Sequence, residues 1–511
     1  MKKTIKRSIC VMLAAVLAVL MVSVPAAPVS AAKKKVSLTR TRIALTAGSA
    51  AKLKIKGTGR KVKWSVKGKK LVTLRPRGRK QHTVRIKAGK KTGRCYVVAS
   101  IGKRTWKCRV TVSAPAAEEK KISKSSVNVT KKYKAKKTKT LKADSTFVRA
   151  VSNSSVELLK ETVAAEKKGT NVLISPDSVF TALSLVECGA SGKTLSEMKK
   201  ALGGISAGKY SRYLNTLHRR LSRDQATDYR VANALWYTKG EAKMKKAYLK
   251  KIVSSHGAEV YASPFNSRTL RDINNWTYNH TEGKISDIIN RLEPSARTVA
   301  VNAVYFKGGW AEPYGGTRKR TFTAANGTAE KVAMLEGVEH TYVTAAGASG
   351  FVKYYRGGNT AFMALLPPKG TSADDFVAQL TGQDIMDAYR KRVDSGVRVY
   401  TRMPEFRYDY SASLVNPLKK MGIVSAFTPA ADFSKMSSSG ICIDDILHKT
   451  YIDLNKDGTE AAAVTALIMK NSSIPKKMEE KKVYLNRPFV YAIIDTDTGI
   501  PLFIGTLNHV K

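Results

Sequence analysis

The apolar period changes once along this chain, near Ser145, and that change divides it into two folding units of different kind. Before it, short alternating runs follow one another between glycines: Arg42-Ile43-Ala44-Leu45-Thr46, Lys52-Leu53-Lys54-Ile55, Lys61-Val62-Lys63-Trp64-Ser65-Val66 and Thr83-Val84-Arg85-Ile86-Lys87. An apolar side chain at every second position puts one face of a strand in a core and the other in water, so this spacing predicts a small β-sandwich. Its buried face would hold Ile43, Leu45, Leu53, Ile55, Val62, Trp64 and Val84, and Lys107-Cys108-Arg109-Val110-Thr111-Val112 would close it. After the change, Val156, Leu159 and Val163, then Tyr213, Leu214, Leu217 and Leu221, recur at the spacing of a helix face, with long strands interleaved. Phe489 to Asp495 and Pro501 to Leu507 read as two closing strands joined by a turn at Asp497-Thr498-Gly499. The second unit is therefore expected to mix helix and sheet.

Between the two, Ser113 to Asp144 is rich in Ala, Pro, Ser and Lys and cannot bury enough apolar surface to fold alone. It is expected to be a linker. Within it, Ser126-Val127-Asn128-Val129-Thr130 and Thr140-Leu141-Lys142 echo Arg42 to Thr46 and Lys52 to Lys54 as a truncated repeat. At the front, Lys2, Lys3, Lys6 and Arg7 lead into the apolar run Val11 to Val24, and Val29-Ser30-Ala31 offers small residues for cleavage. That is the pattern of a secretory signal peptide, and it predicts a secreted protein, released or retained at the cell surface. The run is too short to span a bilayer comfortably and meets Pro25 and Pro28; no later stretch is long and apolar enough, so no membrane span is expected. The expected organisation is a leader at 1–31, a basic β-domain at 32–114, a Lys-rich linker at 115–145 and a large mixed domain at 146–511.

Charge separates the units as sharply as period does. The chain holds 91 Lys and Arg against 38 Asp and Glu, and Lys33 to Lys142 carries 37 of the basic residues against Glu118 and Glu119 alone. Such asymmetry implies an anionic partner. For an exported protein an anionic cell-wall polymer or a host glycan, bound through residues 33–142, is expected, with nucleic acid the weaker alternative. Of the cysteines beyond the leader, Cys95 and Cys108 are near enough in sequence for a disulfide, with two free thiols the alternative; Cys188 and Cys442 lie far apart. So few cysteines do not hold a chain of this size together.

An enzyme is not expected. There is no Gly-x-Ser-x-Gly elbow, and Gly347-Ala348-Ser349-Gly350 lacks the last glycine in register. The seven histidines are scattered, with no His-Glu-x-x-His and no Cys-x-x-Cys, so neither metal nor cofactor is expected. Asp453-Leu454-Asn455-Lys456-Asp457-Gly458 matches the opening half of a calcium loop, but the twelfth position, where calcium needs a bidentate carboxylate, is Val464. Beyond Gly458 the residues turn small and apolar: Thr459-Glu460-Ala461-Ala462-Ala463-Val464-Thr465, then Ala466 to Met469, then the polar Lys470-Asn471-Ser472-Ser473. Alanine runs usually form helix. As a strand, however, Thr459, Ala461, Ala463 and Thr465 share a face slim enough to slide between two strands.

Asp457 to Ala463, together with Val483-Tyr484-Leu485-Asn486-Arg487-Pro488-Phe489-Val490-Tyr491, resembles the two signatures of the serpin family. Asn171-Val172-Leu173-Ile174-Ser175-Pro176-Asp177-Ser178, Asn302 to Trp310 and Ile446-Leu447-His448-Lys449 are similar to family blocks in family order. The resemblance covers about Thr146 to Lys511. It implies an α+β serpin fold, three β-sheets with surrounding helices and an exposed reactive loop. The preceding module resembles bacterial immunoglobulin-like sandwiches through Trp64-Ser65 and Val110-Thr111-Val112.

The resemblance further implies a secreted inhibitor of serine proteases, a bait that is cut and then inserts its loop into the central sheet, trapping the acylated protease. Gly458 to Thr465 would be the hinge. Ser175, Ser178, Asn302 and His448 match the polar cluster beneath the opening sheet, and Trp310 the aromatic where insertion starts. Two departures stand out: Lys456 where the family usually has glutamate, and Glu405 in Met403-Pro404-Glu405-Phe406 where it usually has lysine. A charge-swapped Glu405 to Lys456 salt bridge is expected. The loop is long and the scissile bond is open among Met469, Lys470, Asn471, Ser472 and Ser473. A cut after Ser472 suits elastase-like or subtilisin-like proteases, and one after Lys470 trypsin-like proteases. The competing reading, a non-inhibitory serpin fold serving as a surface binding or adhesion protein, disagrees with the small hinge, since such relatives often carry charge or bulk there.

Overall fold

The computed structural model describes residues 36–91, 93–113, 118–133, 140–224, 227–293, 296–459 and 478–511. The leader expected at 1–31 lies outside them. Two compact units divide at Val112/Ser113.

Among the described residues of the first unit the expected alternation is realised as two four-stranded sheets sharing one core. Arg42–Thr46 runs exposed, buried, exposed, buried, exposed, and Thr83–Ala88 keeps the same period. Ile43, Leu45, Leu53, Val84, Ile86, Cys95, Val97, Cys108 and Val110 fill the core. Ile55 and Val62 are buried in a smaller cluster with Ala99, while Trp64 is half-buried and donates its indole N–H to the Gln81 carbonyl at 2.7 Å. Cys95 and Cys108 are buried free thiols; the register sets Cys95 against Val110 and Cys108 against Val97, and burial pushes the Cys108 thiol up to about 11.

Among the described residues the second unit has three sheets. The central one has seven strands in the order Phe406–Ser413, Leu447–Asn455, Gly458–Thr459, Thr298–Gly309, Thr227–Thr238, Glu259–Ser263, Val127–Asn128. A six-stranded sheet contains Phe489–Asp495 and Pro501–Leu507, the two strands expected at the chain's end, both wholly buried. A four-stranded sheet ends on Val397–Pro404 paired with Glu479–Tyr484. Helix Ser145–Ala165 begins where the period changes because Asp144 caps it, its carboxylate accepting from the Phe147 N–H at 2.7 Å. It buries Val156 and Leu159, and helix Ala207–Asp224 buries Tyr213, Leu214, Leu217 and Leu221, as the spacing requires. Among the described residues no helix is long and apolar enough to cross a membrane.

The linker reading needs correcting for residues 118–133, which belong to the second unit. Val127–Asn128 adds an edge strand antiparallel to Glu259–Ser263, Asn128 opposite Tyr261 and Val127 opposite Ala262. Ile122 packs against the cluster of Trp236, Tyr261, Ile273 and Trp276. Buried Asp272 accepts from the Ser123 N–H at 2.8 Å and the Ser126 hydroxyl at 2.6 Å. A segment too polar to fold alone is ordered by an existing sheet edge that supplies its backbone partners. Asp272→Ala, which strands those donors, should cost about 2–3 kcal/mol in denaturant unfolding, and Asp272→Asn less.

Candidate functional site

The site begins where strand Leu447–Asn455 reverses at Lys456 and Asp457. The chain returns as Gly458–Thr459, with Thr459 opposite Leu454 on one side and Gly308 on the other, and Gly458 opposite Asn455 and Gly309. These two residues therefore stand between strands Leu447–Asn455 and Thr298–Gly309 of the central sheet, antiparallel to both. Gly458 has φ of +153°, which a side chain tolerates poorly. At Gly308 an added Cβ would sit 2.8 Å from the Tyr355 ring, so glycine there lets the aromatic wall close on the rung.

That wall holds the turn by its backbone. Trp310, fully buried and stacked on Tyr355 at 4.5 Å, donates its indole N–H to the Asn455 carbonyl and its backbone N–H to the Asp457 carbonyl, both at 3.0 Å. The Tyr314 N–H donates to the Lys456 carbonyl at 3.0 Å, and the Tyr355 and Thr459 hydroxyls meet at 2.6 Å. Burial pushes the Tyr355 phenol far up, so it stays protonated. Behind the wall lies a feature the sequence did not signal. Lys353, almost wholly buried, pairs with Glu339 at 2.6 Å and sits 4.2 Å from the Tyr314 ring centre and 5.7 Å from that of Trp310. Burial pushes the Glu339 carboxyl up, and contact with Lys353 opposes that shift.

The expected Glu405 to Lys456 salt bridge is not the contact formed. Glu405 accepts from the Lys456 backbone N–H at 3.0 Å, while the Lys456 ammonium turns to Asp457 at 2.7 Å. The carboxylate grips the turn by a peptide donor that every residue type at 456 except proline would supply, so charge swapping is beside the point. Glu405→Ala should cost about 1–2 kcal/mol of thermal stability, and pairing Glu405→Lys with Lys456→Glu should recover none of the loss from Glu405→Lys alone.

Lower in the same sheet the four expected polar residues converge. The Ser178 hydroxyl donates to Asn302 Oδ1, Asn302 Nδ2 donates to Asn233 Oδ1 at 2.6 Å, and the Ser175 N–H donates to His448 Nε2 at 3.0 Å. Ser175 Oγ caps helix Pro176–Glu187 by accepting from the Ser178 N–H at 3.3 Å, which joins the two halves. Asn302 and His448 lie on the two strands that flank Gly458–Thr459, so the cluster ties both to one helix start. Sequence reasoning missed Asn233, whose signal was its register directly opposite Asn302. It also missed Asp177, whose buried carboxylate accepts from the Tyr210 hydroxyl at 2.8 Å and from the Tyr229 hydroxyl.

Burial lowers the His448 pKa to about 4, so the ring is neutral, with Nε2 accepting and the proton on Nδ1. The unfolded histidine titrates near 6.5 and binds the proton the folded ring refuses, so this stability is complete above about pH 6.5 and falls as pH drops toward 4. Up to about 3 kcal/mol is at stake. His256, also lowered to about 4 by burial, and His218, likewise lowered by burial, share the window, so His448→Gln should remove about a third of the histidine contribution to the slope of unfolding free energy between pH 4.5 and 6.5.

Glu460, Ala461, Ala462, Ala463, Val464 and Thr465 of the expected hinge, and the scissile candidates Met469, Lys470, Asn471, Ser472 and Ser473, lie outside the described residues. Beyond Met478 the chain enters strand Glu479–Tyr484, parallel to Val397–Pro404 with Val397 opposite Glu479 and Arg402 opposite Tyr484. One end of the segment is thus held in the central sheet and the other in the four-stranded sheet. Among the described residues no cluster of His, Cys, Asp and Glu could hold a metal ion.

The central sheet thus carries Gly458–Thr459 as a two-residue strand between two long strands, above a polar cluster borne on both of them. The sequence model described as "Serpin (serine protease inhibitor)" matches residues 149–510. A serpin-like protein of Thermococcus kodakarensis is 31% identical over 71% of this chain and 86% of its own, and Iripin-8 of Ixodes ricinus is 29% identical over 71% of this chain and 93% of its own. The crystal structure of a thermophilic serpin, tengpin, in the native state superposes with a TM-score of 0.69 at 33% identity, covering 75% of this chain and 99% of tengpin; its latent state gives 0.64 at 32%, covering 73% and 100%. The chain belongs to the serpin family. The family is described as one of serine protease inhibitors.

Proposed function

We propose that this serpin is secreted and acts as a suicide substrate. A serine protease attacks a backbone carbonyl of the loop, becomes acylated on its own serine, and is trapped when the loop inserts into the central sheet before water completes the cycle. The observation that carries this reading is the rung at Gly458–Thr459, paired on both sides and followed by the small residues Ala461, Ala462 and Ala463. A strand of ten residues would gain roughly 15 hydrogen bonds at about 1 kcal/mol each, and ordering it costs about as much. The driving force then comes from burial and from the state before insertion being kinetically stable only. Intracellular coagulation inhibitor 2 of Tachypleus tridentatus, 28% identical over 67% of this chain, is named for an inhibitory role.

An elastase-like or subtilisin-like target fits a cut after Ser472, and a trypsin-like one a cut after Lys470. The Lys2 to Ala31 leader supports export, and the two-sheet core of the first unit supports an immunoglobulin-like module. Incubating the whole chain with a panel of serine proteases, followed by denaturing gels and mass spectrometry of the released C-terminal peptide, tests the inhibition and locates the cut. A stable complex and a single peptide mass are expected; turnover of the chain without a complex would contradict inhibition.

A further inference from the structure

The basic unit carries an arrangement that its own stability opposes. Met1 to Val112 contains no Asp or Glu, and residues 36–112 alone hold 24 Lys and Arg. In the sheet containing Ala50–Lys56, Thr83–Ala88 and Val72–Arg77, the inward Leu53, Ile55, Val72, Val84 and Ile86 are buried. Lys52, Lys54, Arg75, Arg77, Arg85 and Lys87 consequently face outward, all exposed. The register then sets like charges directly against each other: Arg85 stands between Lys52 and Arg75, and Lys54 and Arg77 flank Thr83 one row on. Directly opposed like charges destabilise a sheet, and this unit has no carboxylate of its own to relieve them. The other sheet is mixed along its outward register, with Tyr96 opposite Arg109 and Lys67, and the covered Val98 opposite Lys107 and Ser65.

We propose that this face binds a linear phosphodiester polymer of the cell envelope. The reading stands apart from protease inhibition and fails or survives separately from it. Neighbouring strands are about 4.8 Å apart, and same-face residues along a strand about 6.8 Å, so the six cations form a grid finer than the ~8 Å screening length of physiological salt. They act as one surface toward a chain with a charge on every repeat, and binding such a chain releases its condensed counterions. Three of the six are arginines, whose forked donors match phosphate oxygens. The strands' outward positions carry no aromatic on which a base could stack, and the face offers no helix to enter a duplex groove.

The test uses the full chain and poly(glycerol phosphate), with affinity followed against salt. Lys52→Gln, Arg75→Gln and Arg85→Gln together remove three contacts and should flatten the log–log salt slope by about 2, while Arg85→Gln alone should flatten it by about 0.7. Arg42→Gln, Lys63→Gln and Lys107→Gln together, on the other sheet, should leave the slope in place. Without polymer the first triple variant should unfold at a higher temperature than wild type, a gain that a row kept for folding would not give. An unchanged slope in the first triple variant, or an equal loss in the second, overturns the assignment. So does tighter binding of heparin or single-stranded DNA than of poly(glycerol phosphate).

Discussion

Thr459→Arg is expected to turn the inhibitor into a substrate, with cleaved loop accumulating where wild type leaves a gel-stable complex. Thr459 is 2% exposed, paired to Leu454 and Gly308, with its hydroxyl on that of Tyr355. An arginine must either bury its guanidinium against an aromatic wall or keep the rung apart. Trapping is a race between insertion and deacylation, and each 1.4 kcal/mol added to the insertion barrier slows it tenfold. A penalty of about 3 kcal/mol would give water a lead of about a hundredfold. Ala463→Pro should act the same way further along by removing a ladder donor from the entering strand. Stoichiometry of inhibition measures both, and an undiminished complex in either would sink the insertion account.

The second large effect is expected at Lys353. Lys353→Met leaves Glu339 buried without its partner behind the wall, free either to stay charged uncompensated or to take up a proton, and breaking a buried pair this way costs about 3–5 kcal/mol. Replacing both partners, Lys353→Leu with Glu339→Leu, should restore most of that stability or exceed wild type, because two desolvated charges contribute little net. If the pair also steadies Trp310 and Tyr314 on the hinge turn, the double variant regains its unfolding temperature and still shows a raised stoichiometry of inhibition. Recovery of both together would reduce the pair to a packing element.

What could be read from sequence depended on how locally each feature is encoded. Alternation at Arg42–Thr46 and helical spacing at Tyr213 to Leu221 are properties of neighbouring residues, and both are in place. So are the two closing strands, whose turn is set by Asp497-Thr498-Gly499. The edge strand at Val127–Asn128 was invisible because its stability is borrowed from Glu259–Ser263 and Asp272, more than 130 residues away. Asn233 and Lys353 escaped for the same reason. Each is meaningful only through a distant partner, Asn302 on the neighbouring strand in one instance and Glu339 on a strand of another sheet in the other. At the turn, the sequence paired two side chains by charge, whereas the geometry gives Glu405 to a backbone N–H. Side-chain type announces a charge and says nothing of which peptide group will meet it first.

The central claim is that Gly458–Thr459 is the first rung of a strand the loop completes once it is cut. Nicking the loop of the whole chain with a protease that is not retained, and following thermal unfolding before and after, tests this without knowledge of the natural target. Insertion gains hydrogen bonds and burial worth several kcal/mol, so the midpoint should rise by about 10 °C or more, with the C-terminal peptide still attached through Glu479–Tyr484 and the strands beyond it. A nicked protein that unfolds at or below the temperature of the intact one would contradict the account.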